Sequence, residues 1–109
     1  MAQAIDVREI VERYLKNLAS LGVPVQKAFI FGSQATGLAD EDSDIDLAVI
    51  SPYFERMGLW DKAKVLGRAT RDIPYPMDVL GYAPSQLRKI RPGTLLAEIV
   101  KNGIEIRQN

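Results

Sequence analysis

FIFGSQATGLADEDSDIDLAVI, residues 29–50, is the stretch on which the reading of this chain turns. An apolar run over 28–31 stops at Gly32-Ser33, a polar connection follows, and a second apolar run opens with two carboxylates one residue apart, Asp44 and Asp46. Small residues directly after a strand let backbone N–H groups come close to a phosphate. Carboxylates at alternate positions of a strand point to the same side and can share a cation. Two anions this close raise each other's pKa unless a cation sits between them. Taken alone the pair has two readings: Asp44 caps a turn while Asp46 pairs with a basic residue, or both hold a metal. A DxD match is short enough to arise by chance.

The flanks give this stretch its setting. Upstream, Val7, Ile10, Val11, Tyr14, Leu15, Leu18 and Leu21 recur at helical spacing over residues 5–21, with charged residues between them. Asp6 is placed to cap that helix, and Gly22 with Pro24 to end it. Residues 25–31 read as the first strand, apolar on both sides at Ile30-Phe31 and so covered on both faces. Ser33 is positioned to cap a short helix through Thr36, and Gly37 permits an abrupt exit at positive φ. Asp40, Glu41 and Asp42 then read as a solvated loop. In the second strand, 44–50, Ile45, Leu47 and Val49 face one way and Asp44, Asp46 and Ala48 the other.

Downstream, residues 59–71 carry apolar residues at helical spacing, from Leu59 and Trp60 to Leu66 and Ala69, beside a basic side of Lys62, Lys64, Arg68 and Arg71. MDVLGY at 77–82 is a third strand with another carboxylate near its start, Asp78, on the side shared by Leu80 and Tyr82. A short helical segment over 84–90 follows. Pro92-Gly93 breaks it, and Thr94 caps a helix whose buried stripe is expected to be Leu95, Leu96, Ile99 and Val100. Gly103 ends that helix, and the alternating Ile104-Glu105-Ile106-Arg107 forms an edge strand. The sum is a single domain over 1–109, an α+β (α/β layered) fold with a small mixed sheet flanked by helices.

Composition narrows the chemistry. The 109 residues are 47% hydrophobic, enough for a packed core in one domain. Fourteen basic and fourteen acidic residues cancel, so nothing draws the whole chain to nucleic acid, and direct DNA binding is not expected. Cysteine and histidine are both absent, which removes disulfides, thiolate sites and the usual neutral-pH base. A metal would be held by oxygen, which favours Mg²⁺ or Mn²⁺. No apolar run is long enough to span a membrane and the N-terminus does not read as a signal peptide, so a cytoplasmic protein is expected.

Each motif is weak by itself, but their order is specific: strand, Gly-Ser, short helix, strand with DxD, helix, strand with Asp. Gly32-Ser33, ten residues, then Asp44-Ile45-Asp46 resembles the signature of the DNA polymerase beta-like nucleotidyltransferase superfamily. The small size, Asp78 and the ending NGIEIRQN resemble its minimal nucleotidyltransferases, the MNT proteins that serve as antitoxins in HEPN/MNT pairs. That resemblance implies the polymerase beta-like fold. It implies that Gly32 and Ser33 bind the nucleotide phosphates, that Asp44, Asp46 and Asp78 bind two Mg²⁺ ions, and that Asp78 is placed to act as base. It also implies ATP as substrate and AMP transfer to a tyrosine of a HEPN-domain toxin, with which the chain would form a hetero-oligomer. Two alternatives stay open: an antitoxin that neutralises its partner by binding alone, and a nucleotidyltransferase subunit acting on RNA or a small molecule. One departure is visible. Many relatives carry an arginine directly after Gly-Ser, where this chain has Gln34; Lys27, Lys64, Arg68 and Arg71 are the cations left to replace it.

Overall fold

The computed structural model describes residues 6–36 and 44–107. The anticipated Gly37 exit and the acidic loop at Asp40, Glu41 and Asp42 lie outside the described residues. In chain order the elements are α1 (Val7–Ser20), β1 (Lys27–Phe31), α2 (Ser33–Thr36), β2 (Ile45–Ile50), a 3₁₀ turn (Pro52–Phe54), α3 (Leu59–Arg68), β3 (Met77–Tyr82), α4 (Pro84–Arg88), α5 (Leu95–Asn102) and β4 (Ile104–Arg107). Asp6 caps α1 by accepting from the Glu9 N–H at 3.2 Å. Its other end closes through Gly22 at φ +87°, where Val23 N–H donates to Leu18 O and Gly22 N–H to Ala19 O, satisfying carbonyls the helix leaves open.

The four strands lie in the order β3-β2-β1-β4. β1 is antiparallel to β2 and to β4, whereas β2 and β3 run parallel. A parallel pair needs a crossover, and α3 supplies it. Strand alternation then sorts the apolar residues into two layers. Ile45, Leu47 and Val49 of β2 join Ala28, Ile30 and Ile106 against α1 and α3, through Val11, Tyr14, Leu15, Leu18 and Leu66. Ala48, Ile50 and Phe29 pack on the other face with Leu80, Tyr82, Leu87 and Ile99, so α4 and α5 cover that side.

Polar ties hold the first layer in register. The fully buried Tyr14 hydroxyl donates to Leu66 O at 2.7 Å, bridging α1 and α3. Asn17 donates to Ala69 O and Asp72, and Arg13 pairs with Asp72 at 2.9 Å. Buried Ser51 donates to Pro24 O at 2.7 Å and accepts from Tyr53 N–H, which is why a hydroxyl is tolerated there.

Three expectations need correction. Leu95 and Val100 are 54% and 37% exposed, so the buried stripe of α5 is Leu96 and Ile99 alone; eight residues make little more than two turns, and only one edge reaches the sheet. Leu59 and Trp60, at the first turn of α3, are 86% and 80% exposed, outside the apolar packing their spacing suggested. Gly103 ends α5 with φ −77°, not in the left-handed region. Glycine is needed there for closeness: a Cβ would lie 2.5 Å from Ile99 O and 3.0 Å from Ile30 O.

Candidate active site

The register of the sheet brings the sequence-predicted carboxylates together. Asp46 is the direct partner of Asp78 across the parallel β2–β3 pair, and of Phe31 across the antiparallel β1–β2 pair. Neighbouring strands stand ~4.8 Å apart, and residues two apart on a strand are ~6.6 Å apart on one side. Asp44 directly precedes β2, so the three acids occupy one corner at the start of two adjacent strands. Asp44 and Asp78 are exposed and Asp46 is half-buried. Asp46 shares its side with Ala48 and Ile50, so the corner opens on the face covered by α4 and α5.

The turn that ends β1 is fitted to this corner. Gly32 follows Phe31 with φ +68°, and Ala35 N–H donates to Gly32 O at 3.1 Å to begin α2. A Cβ on Gly32 would overlap Asp46 Oδ2 and stand 3.2 Å from its Cγ. Gly32 is therefore required twice, for its backbone angle and for the space its missing side chain leaves to the Asp46 carboxylate. Ser33 is the first residue of α2, one place later in the helix than a cap, and is half-buried, as is Gln34. The sequence identified Gly32 as a turn residue but not as the seat of the Asp46 side chain. The available signal was the single Gly between an apolar strand and a short helix, and only the β1–β2 register turns it into a contact.

Electrostatics point the same way. Burial, then the Asp78 charge, then the Asp44 charge push the Asp46 carboxyl above its ordinary range. All three influences raise it. An oxygen-only donor set that accumulates negative charge fits a hard divalent cation. Among the described residues no three acidic groups are gathered into a finished ligand cluster. Asp46 and Asp78 are register partners, and side-chain rotation would have to bring them, with Asp44, onto a cation.

The cations proposed to replace the missing arginine are not at this corner. Lys27 lies opposite Ile50, at the far end of β1 from Phe31. Lys64 and Arg68 are exposed on α3 and Arg71 on the turn after it, while α3 packs Val65 and Leu66 on the opposite face of the sheet. Lys62, also on α3, reaches Gly81 O at 3.4 Å.

Comparison with known proteins gives the chain a family and a fold. Residues 8–105 match the model of the family described as nucleotidyltransferase domain. None of the curated proteins matches the chain. Among solved structures, one described as a nucleotidyltransferase from Sulfolobus solfataricus superposes with a TM-score of 0.64 at 18% identity, over 96% of this chain and 89% of that one. A second, described as a minimal nucleotidyltransferase, superposes with a TM-score of 0.57 at 24% identity, over 94% of this chain and 98% of that one. At these identities the two likenesses speak for the fold, which is that of the polymerase beta-like nucleotidyltransferases.

Proposed function

Since the chain belongs to the nucleotidyltransferase domain family, we propose that it transfers AMP from ATP to a hydroxyl of a partner protein, a tyrosine of a HEPN-domain toxin, and so acts as the antitoxin of the pair. The observation that carries the catalytic part is the corner itself: Asp46 beside Asp78 across two strands, Asp44 two residues before it, and Gly32 against the Asp46 carboxylate. The toxin, the tyrosine and the choice of ATP rest on the resemblance carried by Gly32-Ser33, Asp44-Ile45-Asp46 and Asp78.

The reaction balances without histidine. The acceptor oxygen bonds to the α-phosphorus of ATP, the bond from that phosphorus to the bridging oxygen breaks, and pyrophosphate leaves. Mg²⁺ held by Asp44, Asp46 and Asp78 would supply neutralisation of phosphate charge and a lowered pKa for the attacking hydroxyl. Asp78, exposed on β3, is placed to receive the hydroxyl proton. Gly32 and Ser33 present the start of α2 to the β- and γ-phosphates. With Gln34 after Ser33, this cradle has no side-chain cation of its own, and nucleotide affinity should be correspondingly modest.

The test is incubation of the purified chain with α-phosphate-labelled ATP, Mg²⁺ and the product of the neighbouring gene. Label on that protein, absent with the Asp44→Ala/Asp46→Ala variant, is the expected result. No transfer, or equal transfer by the variant, contradicts the proposal. Gln34 in the usual arginine position favours one second reading, neutralisation by binding alone. It predicts that the same double variant still silences the partner.

A further inference from the structure

The face that carries the three carboxylates holds a second feature that the chemistry above does not use. At the far end of β3, α4 and the loop leading to α5 border an open cavity of about 470 Å³. Tyr82 forms one wall. Tyr82 alternates with Leu80 and Asp78 on the same side of β3, so cavity and carboxylates lie on one surface. Four residues of strand separate Asp78 from Tyr82, about 13 Å.

Ile90, Leu95, Leu96 and Tyr82 give the lining an apolar floor, and two cations stand on its rim. Lys89 and Arg91 border the cavity, both are exposed, and neither forms an ion pair with a described residue. Three other polar side chains of the wall have partners within the chain. The Ser85 hydroxyl donates to Glu55. The Thr94 hydroxyl accepts from Ala97 N–H and donates to Arg91 O. Gln86 Oε1 accepts from Ala83 N–H. What faces an incoming molecule is therefore two cations beside an apolar surface that includes the exposed Leu95. That set takes carboxylates joined to an apolar chain.

We infer that this cavity is the acceptor subsite, and that it binds an acidic peptide segment lying about four residues from the modified hydroxyl. The inference rests on the protein-acceptor reading above. An extended peptide covers ~3.3–3.6 Å per residue, so a segment with its acceptor side chain at Asp78 and an acidic residue three to five positions away reaches Lys89 and Arg91. A nucleic-acid strand fits less well. The chain as a whole is neutral, so nothing draws a polyanion to it in general.

Two measurements test this. The first is fluorescence anisotropy of labelled tyrosine peptides, without nucleotide or metal, comparing a peptide with Asp and Glu four residues from the tyrosine against the same peptide with Lys there. The acidic peptide should bind about ten-fold more tightly, and the difference should shrink as salt is raised. The Lys89→Glu/Arg91→Glu variant should reverse the order, a gain that misfolding does not produce. Equal binding of the two peptides, unchanged preference in the variant, or tighter binding of a single-stranded RNA of equal charge overturns the subsite. The second is label transfer from ATP to the same peptides. Charge-dependent binding without transfer to any acceptor leaves the subsite standing and removes the AMP-transfer reading. Transfer that ignores peptide charge does the reverse.

Discussion

Replacing Gly32 by alanine separates the cost of folding from the cost to the site. Gly32 and Gly22 both sit at positive φ, +68° and +87°. An alanine in that region costs roughly 1–2 kcal/mol at either position. The surroundings differ. A Cβ at Gly22 meets nothing within 4 Å, while one at Gly32 overlaps Asp46 Oδ2. To restore ordinary contact the Asp46 carboxylate must retreat by about 1 Å or more. It sits at the end of a rotatable side chain, so the retreat adds little to the folding cost. A displacement of about 1 Å in a catalytic group can lower the rate ~100-fold. Gly22→Ala and Gly32→Ala should therefore lose similar stability in thermal denaturation, on the order of 4–8 °C per kcal/mol for a domain near this size. Only Gly32→Ala should lose Mg²⁺-dependent nucleotide transfer, by about 100-fold. If Gly32→Ala keeps its activity, or Gly22→Ala loses as much, the assigned contact between Gly32 and the Asp46 carboxylate is not what the site depends on.

Three further outcomes are expected of other residues. Asp46→Asn should raise the melting temperature in EDTA, since it removes a charge disfavoured by burial and by Asp78 and Asp44; added Mg²⁺, which should stabilise the parent chain, should then have little effect by calorimetry. Tyr14→Phe should cost about 1–3 kcal/mol in urea titration by leaving Leu66 O buried without its donor, with activity of the folded fraction unchanged. Burial also raises the Tyr14 pKa above its ordinary value near 10, so the native state holds that proton more tightly than the unfolded chain. Stability from this group is full below pH ~10 and declines as pH rises beyond it, a loss absent from Tyr14→Phe. Asp72 has the opposite sign: hydrogen bonds from Arg13 and then Asn17 hold its carboxyl below the ordinary range. Its contribution is present above the unfolded pKa near 4 and fades as pH falls through the folded value, so Asp72→Ala should flatten the acid limb of a stability–pH curve.

Much of this architecture is written locally. Ile45 to Ile50 alternate between two apolar layers as their spacing predicts, and Asp46 and Asp78 fall on the sides expected. Asp6 and Thr94 cap their helices as their residue types and positions suggest. The errors arise where periodicity marks an apolar stripe without saying what lies opposite it. Leu59, Trp60, Leu95 and Val100 have helical spacing, yet each stays exposed. At the site the acid residues were legible because alternate strand positions share a face. Their adjacency was not, because it depends on the parallel register of β2 with β3, which is set by tertiary packing. The same holds for Gly32 against Asp46, and for the cations: helical spacing placed Lys64 and Arg68 on one side of α3, but not on the opposite face of the sheet from the carboxylates.

The most direct test of the account is single-turnover transfer of label from α-phosphate-labelled ATP by the purified chain in the presence of its neighbouring gene product, with and without Mg²⁺. The account predicts label on the acceptor and one pyrophosphate released per label, both lost in EDTA and both lost with Asp46→Asn although that variant remains folded. Transfer that persists in EDTA or in folded Asp46→Asn, or no transfer and no Mg²⁺-dependent binding of ATP, would contradict the assignment of Asp44, Asp46 and Asp78 as the centre of the site.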